Sequence, residues 1–317
     1  MKTMNKKCLY CYKELDQAGD FHPSCSTHFF GSPEPPILDY TLSEMTELAK
    51  EVVESSVTVP GVQPKLSLGF IKNVLGDGSK GRLTIMGALG GNYILKPQNE
   101  TFKQMPENEH LTMRMAELCG ISVVPSTQIR LKSGEISYLT KRIDRTETGE
   151  KIHMLDMFQI LEAFDKYKSS VEKVGKAVAE YSSNTLLDLL RLFEVVLFSY
   201  ITGNNDMHLK NFSLILVNEA WMLAPAYDLL NVNLHIPEDT EETALSICGK
   251  KRKLTKSDFF SLGLEFQLTE KQILNTFKRF VQAEKKMKLE IKSSFLSSEN
   301  QMKYIQLLEA RLALLKG

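Results

Sequence analysis

Three residues late in the chain have the types and order that phosphoryl transfer demands. Asp206 is followed five positions later by Asn211, and Asp228 comes after two short apolar runs. Transfer needs one carboxylate to orient and deprotonate the attacking hydroxyl. It also needs a carboxamide and a second carboxylate to hold Mg²⁺ on the phosphates. The protein-kinase signature places a catalytic Asp, an Asn five residues on and a metal-binding Asp in this order. His208 and Lys210 lie between the first two. Each piece has a plain structural reading as well: Asn204, Asn205 and Asp206 could simply cap and turn a helix end.

Such chemistry makes demands upstream. It needs a lysine on a strand to reach the α- and β-phosphates and an acid on the following helix to pair with it. Tyr93-Ile-Leu-Lys96 is an apolar run ending in a lysine, and Glu109 or Glu107 opens the next helical pattern. It also needs a loop that approaches phosphate through backbone N–H groups. The stretch from Ser55 to Lys65 holds that place, with Gly61, Gln63 and Lys65 as the contacting residues. Pro60 and Pro64 remove two N–H donors, so the loop departs from the G-x-G-x-x-G form.

A second constellation lies near the start. Cys8-x2-Cys11 and His22-x2-Cys25 are two pairs at the spacing that lets short turns supply four ligands to Zn²⁺, with His28 close behind. The competing reading is a set of reduced cysteines in a lead-in packed through Phe29 and Phe30.

The elements that must position these residues follow from composition and pattern. The 317 residues include 39 basic and 39 acidic ones, a formal net charge of zero, which argues against a nucleic-acid coat or an acidic tail. No apolar targeting region follows the polar N-terminus, and Leu186 to Ile201 is broken by Asp188, Arg191 and Glu194, so no membrane span is expected. Five cysteines without a disulfide framework suggest a reducing cytoplasm. Ser32 to Pro36 is a stiff linker, and Thr41-x-x-Glu44 opens a helix as a capping box. Alternation predicts strands at 66–70, 82–86, 92–96, 123–131 and 136–143, with a helix from Pro106 stopped by Gly120. Helices are expected at 154–164, 171–181, 186–200, 268–281 and 301–315, around a hairpin at 212–217 and 221–224. The expected class is α+β, a two-lobed protein-kinase-like fold. Residues 1–36 form the Cys/His segment and linker, 37–145 a β-rich N-lobe, and 146–317 a helical C-lobe.

The segments Gly61-Val-Gln-Pro-Lys-Leu-Ser-Leu68, Ile94-Leu-Lys-Pro97, Asn108-Glu-His110, Thr140-Lys-Arg-Ile-Asp-Arg145, Asn205-Asp-Met-His-Leu-Lys-Asn-Phe212 and Pro225-Ala-Tyr-Asp228 together resemble the HipA family of bacterial toxin Ser/Thr kinases. The resemblance runs in unbroken order from about residue 55 to 250. It implies ATP and Mg²⁺ as cofactors, Asp206 as catalytic base, Asn211 and Asp228 as metal ligands, and Lys96 as the phosphate-binding lysine. His208 and Lys210 would support the catalytic loop and the nucleotide, and the strand around Thr140 to Arg145 would lie near the adenine. Autophosphorylation would fall on Thr58, or on Ser56 two residues earlier. The implied substrate is an aminoacyl-tRNA synthetase, phosphorylated so that translation stops. A helix-turn-helix antitoxin is the implied partner, with DNA reached only through it. Fewer than 60 residues precede the phosphate loop, which is similar to the short HipT-like branch, where a separate small protein replaces an N-terminal subdomain and acts as a second antitoxin.

Three other functional readings compete: a kinase of a small molecule or other protein on the same fold, an ATP-binding regulator without catalysis, and a DNA- or protein-binding zinc module centred on the Cys/His segment, which zero net charge and a single knuckle disfavour. The run Lys250-Lys-Arg-Lys253, with Lys256, reads first as a solvated turn and second as a weak nucleic-acid contact.

Overall fold

The computed structural model describes residues 7–55, 66–71, 82–85 and 91–316. The chain divides into two compact units. The first comprises Met1–His110, Val124–Glu150 and Ser293–Phe295; the second comprises Leu111–Val123, Lys151–Lys292 and Leu296–Gly317.

In the first unit, α1 (Pro23–Phe30) and α2 (Leu42–Ser55) precede an antiparallel sheet of five strands. These are β1 (Leu66–Ile71), β2 (Arg82–Ile85), β3 (Tyr93–Lys96), β4 (Ser126–Arg130) and β5 (Ile136–Lys141), in the order β2-β1-β3-β5-β4. Period-two alternation decides the faces. Leu66 and Leu68 stand opposite Leu95 and Tyr93, and Leu95 opposite Leu139, so these side chains form one apolar layer. Phe29 and Phe30 of α1, Leu38, and Met45 of α2 bury themselves in the same layer. Lys96 is one residue out of phase with it and falls on the other face, beside its cross-strand neighbour Tyr138. The expected capping box forms: Thr41 N donates to Glu44 Oε2 at 2.7 Å and Glu44 N to Thr41 Oγ1 at 3.3 Å.

Between β3 and β4 runs α3 (Met105–Leu118), which ends near Gly120 in the left-handed region at φ +80°. Glycine is also required at Gly91, where φ is +80° and a Cβ would stand 2.4 Å from Leu68 O, next to the start of β3.

The second unit contains a three-stranded sheet, β6 (Met154–Asp156), β7 (Ser213–Val217) and β8 (Ala220–Leu223), in the order β6-β7-β8. Its helices are α4 (Met157–Ile160), α5 (Val171–Tyr181), α6 (Thr185–Thr202), α7 (Lys256–Glu265), α8 (Glu270–Ser293) and α9 (Ser298–Lys316). Aromatic pairs knit α6 to α8: Phe193 lies 6.2 Å from Phe277, and Phe198 6.2 Å from Phe280.

Besides α1, for which no helix was expected, the second unit differs from the sequence expectation in three places. The helix expected at 154–164 is a strand followed by a single turn. Met154 to Asp156 find ladder partners in β7, and Asp156 then caps α4 through a capping box with Gln159. A ready sheet edge outweighs weak helical propensity. Second, α8 runs to Ser293 rather than 281, because Met287 and Ile291 continue its buried face through a lysine-rich stretch. Third, α7 was not expected; Thr255 and Asp258 close a capping box that starts it. The basic run before it is partly neutralised, with Lys250 Nζ 2.8 Å from Asp258 Oδ1 and Lys251 Nζ 3.4 Å from Glu241 Oε2. That fits a turn.

Among the described residues no helix is long and apolar enough to cross a membrane.

Candidate active site

Among the described residues of the first unit, one charged pair lies out of water. Lys96 Nζ lies 2.6 Å from Glu109 Oε1, and the two side chains are 5% and 1% exposed. The phase of β3 turns Lys96 onto the Tyr138 face, where its ammonium sits 5.5 Å from that ring centroid. Of the two acids at the start of α3, Glu109 makes the pair. Glu107 instead accepts from Gln98 Nε2 at 2.9 Å, and burial raises its carboxyl above the usual range despite that bond. Two residues apart on a helix, the two carboxylates point to different sides. His110 is fully buried, and its Nδ1 shares a 2.8 Å hydrogen bond with the Tyr12 hydroxyl.

In the second unit, Asp206 sits on a loop held by backbone hydrogen bonds and by the side-chain amides of three asparagines. Helix α6 ends at Gly203 in the left-handed region, φ +73°, where a Cβ would meet the Leu307 side chain at 2.3 Å. Asn204 Oδ1 accepts from Asp206 N at 3.3 Å, and Asn205 Nδ2 donates to Asp239 Oδ2 at 2.8 Å. His208 N donates to Asp206 O at 2.8 Å, and Asn211 N to His208 O at 2.9 Å. Asn211 Nδ2 closes the loop on Asp206 O at 3.2 Å, so these two expected site residues are brought together.

The hairpin β7–β8 returns the chain to this loop. Its far end is anchored by buried Asp188 of α6, whose Oδ2 accepts from Leu223 N at 2.7 Å and Ser182 Oγ at 2.6 Å. Tyr227 then donates its hydroxyl to Lys210 O at 2.9 Å, and Asn204 Nδ2 reaches Asp228 O at 3.5 Å. Asp228 itself has φ +60°, a strained conformation for a residue with a Cβ. Such strain collects where a side chain must be aimed.

Two residues that the sequence reading missed touch the loop. Tyr167 Oη donates to Asp206 Oδ1 at 2.8 Å. Burial first, then the charge of Asp206, raises the Tyr167 phenol above its ordinary value, so it stays protonated as a donor. Lys166 Nζ lies 3.0 Å from His208 Nε2. An ammonium can only donate, so Nε2 accepts and the ring proton lies on Nδ1. His208, 7% exposed and edge-on to Tyr167 at 5.2 Å, is a loop support. Lys210 is exposed, with Nζ 4.8 Å above the Phe158 ring. Only an unremarkable Asp165-Lys-Tyr167 segment marked the Tyr167 contact, and it carries no motif.

The residues fit the groups a kinase uses. With Nδ2 of Asn211 committed to Asp206 O, the amide oxygen is its remaining lone-pair group. Together with the Asp228 carboxylate it is the hard oxygen set that Mg²⁺ takes. Lys96 offers a buried positive charge for a phosphate. Gly61, Gln63, Lys65, Ser56 and Thr58 lie outside the described residues.

The four candidate zinc ligands also come together. The ligand atoms of Cys8, Cys11, His22 and Cys25 all lie within 4.8 Å of one another. His28 is elsewhere, its ring 5.6 Å from that of Tyr10. Burial raises the Cys8 thiol, but N–H groups of Cys11, His22 and Tyr10 outweigh it and bring it below its ordinary value. Burial and the Cys8 charge push Cys25 up to about 12.

Comparison with known proteins gives these features a family context. The family model described as the HipA-like C-terminal domain matches residues 57–287. A protein of Haemophilus influenzae is 31% identical over 209 residues, 61% of this chain and 58% of that protein. The Serine/threonine-protein kinase toxin HipA of Shewanella oneidensis is 29% identical over 209 residues, 59% of this chain and 45% of the toxin. The chain thus spans about half the length of the curated relatives it matches. Among solved structures, Shewanella oneidensis HipA, complexed with HipB and operator DNA, has a TM-score of 0.66 at 19% identity, covering 85% of this chain and 70% of that one. The Helicobacter pylori proinflammatory kinase CtkA has a TM-score of 0.55 at 14% identity, covering 79% and 94%. At such identities the likeness is one of fold, and the α+β fold is kinase-like.

Proposed function

The chain belongs to the HipA-like C-terminal domain family, and from that premise we propose that it is an ATP-dependent serine/threonine protein kinase. The observation that carries this reading is the Lys96–Glu109 pair, 2.6 Å and almost fully buried. Desolvating two ions costs several kcal/mol each, on the order of what their attraction returns, so burial of such a pair contributes little stability. A kinase keeps one for another reason: the carboxylate holds the lysine in place for the nucleotide phosphates.

In the transfer, Asp206 orients the attacking hydroxyl and takes its proton as the oxygen bonds to the γ-phosphorus. The bond between that phosphorus and the oxygen bridging to the β-phosphate breaks, and ADP leaves. Tyr167 holds Asp206 Oδ1, and Lys96 carries positive charge toward the phosphates. Asn211 and Asp228 would hold Mg²⁺, which when bound neutralises charge developing on the phosphates.

The proposed protein substrate is a serine of an aminoacyl-tRNA synthetase, with arrest of translation and growth as the result. A helix-turn-helix antitoxin is the proposed partner, which the HipB complex of Shewanella HipA supports for a fold relative. A second, small antitoxin protein, as in the HipT-like branch, would complete a three-part system. Self-phosphorylation at Thr58 or Ser56 would add up to about two negative charges near the ATP phosphates and switch the enzyme off.

Peptide mass spectrometry of wild type and Asp206→Ala, each incubated with Mg-ATP, tests the reading. Phosphate on Ser56 or Thr58 in the wild type alone is expected. Phosphate in both proteins would refute self-phosphorylation. None in either, with no transfer to any protein in a cell extract, would refute the kinase.

A further inference from the structure

The segment before α2 does more than lead into the sheet. Its four candidate ligands, three thiols and an imidazole, bring their ligand atoms within 4.8 Å of one another. In a tetrahedral site with Zn–S of about 2.3 Å and Zn–N of about 2.0 Å, the sulfur-to-nitrogen edge is about 3.5 Å. Cys11 Sγ stands 3.5 Å and Cys25 Sγ 3.8 Å from His22 Nδ1. Both thiols therefore gather at one nitrogen of the ring. The other, Nε2, lies 2.8 Å from Glu14 O. A carbonyl only accepts, so Nε2 carries the proton and Nδ1 presents its lone pair to the thiols. A backbone carbonyl that sets the tautomer of a ligating histidine is what an outer ligand shell does.

The turn between the first two ligands is built the same way. Tyr12 N donates to Cys8 O at 2.9 Å and Cys8 N to Lys13 O at 2.8 Å. Tyr12 then takes φ +63°, where glycine would be easier. Its side chain explains the choice. The ring is 3% exposed and lies edge-on to His110 at 5.3 Å and to Phe295 at 5.6 Å. The hydroxyl bonds His110 Nδ1 at 2.8 Å, and His110 follows Glu109 in α3. From the last ligand, α1 carries Phe29 against Tyr93, at 6.0 Å between rings, on the strand that ends in Lys96. Both partners of the buried ion pair thus have a neighbour that is tied to the four-ligand cluster.

We propose that Cys8, Cys11, His22 and Cys25 bind one structural Zn²⁺, and that this site holds Tyr12 and α1 so as to position Glu109 and Lys96. Four protein ligands leave no open coordination position, so the ion's work is architectural. Zinc uptake releases the thiol protons to solvent and changes no oxidation state. The zinc site stands independently of the kinase reading; the positioning role rests on it.

The full chain, purified under reducing conditions, is assayed for zinc and, after exchange, for the visible spectrum of Co²⁺. About one zinc per chain and the absorption of tetrahedral thiolate-bound cobalt are expected. His22→Ala should lose most of the metal. His22→Cys should keep it and strengthen the charge-transfer bands, which separates ligand loss from misfolding. A wild-type chain that holds no zinc after refolding with it and shows no cobalt bands, or whose cysteines pair as a disulfide under reducing conditions, would overturn the site. Tyr12→Phe tests the positioning: metal content should remain full while kcat falls several-fold and the KM for ATP changes little. Full kcat with full zinc would overturn the positioning role and leave the site standing. A wild type with zinc but no transferase activity would refute the kinase reading alone.

Discussion

The Lys96–Glu109 pair and the Asp206 loop put charge to use on opposite terms. The pair is dry, and each ion has been stripped of water to face the other. The Asp206 carboxylate is half-buried, and its loop hangs on hydrogen bonds that the Asp206 backbone makes with the Asn204 and Asn211 side chains and with His208 N. In the first place, function and stability share the same atoms. In the second they are separable, because these frame bonds run through the backbone N and O of Asp206 while its carboxylate meets Tyr167.

The strongest test removes the carboxylate. Asp206→Ala should lower phosphoryl transfer by about 10²- to 10⁴-fold, the range for a general base, while the thermal midpoint stays near that of wild type. Both are read from phosphate incorporation and a melting curve. A large loss of stability would erase the contrast.

Lys96→Met should abolish transfer and also destabilise, by about 3–5 kcal/mol, since Glu109 is left buried without its counter-charge. Adding Glu109→Leu should recover most of that stability and none of the activity. Urea unfolding of the three proteins decides it; a double variant no more stable than the single would mean that the pair is not paying a desolvation cost.

Tyr167→Phe makes a smaller cut. Loss of a hydrogen bond to a charged group costs at most about 1.5–3 kcal/mol of stability at this partly exposed site, so a rate loss of about tenfold is expected with only a small fall in the melting midpoint. A rate equal to wild type would take Tyr167 out of the site.

The smallest effect concerns a partly exposed ion cluster. Arg142 Nη2 and Arg145 Nη1 each lie 2.7 Å from Asp144 Oδ2. Burial raises the Asp144 carboxyl, but Arg142 and then Arg145 outweigh it and hold it below its ordinary value. A depressed carboxylate contributes stability above its unfolded pKa, about 3.9, and loses it as pH falls through the lower folded value. Asp144→Asn should therefore flatten the acid side of the stability curve and leave activity near neutrality alone. An unchanged dependence of the urea midpoint between about pH 3 and pH 6 would exclude it.

Much of the fold was legible because its signals are local. The capping box at Thr41, the alternation of Leu66 and Leu68, and the glycine stop at Gly120 act within a few residues of themselves. Met154 to Asp156 were misread as helix because their partners, Ile215 to Ser213, lie far along the chain. The full length of α8 was hidden for a related reason: only packing shows that Met287 and Ile291 outweigh the lysines around them.

The candidate site divides along the same line. Sequence alone determined which residue types were available and in what order: Lys96, then Asp206 with Asn211, then Asp228, and the four ligands from Cys8 to Cys25. Chemistry restricts those types and spacings strongly, so they can be read without coordinates. Tertiary structure decided the partners. Helix phase chose Glu109 over Glu107, a left-handed turn carried Tyr12 to His110, and an unmarked segment brought Tyr167 to Asp206. Each of those contacts joins residues whose encounter depends on the packing of everything between them, and no local pattern records it.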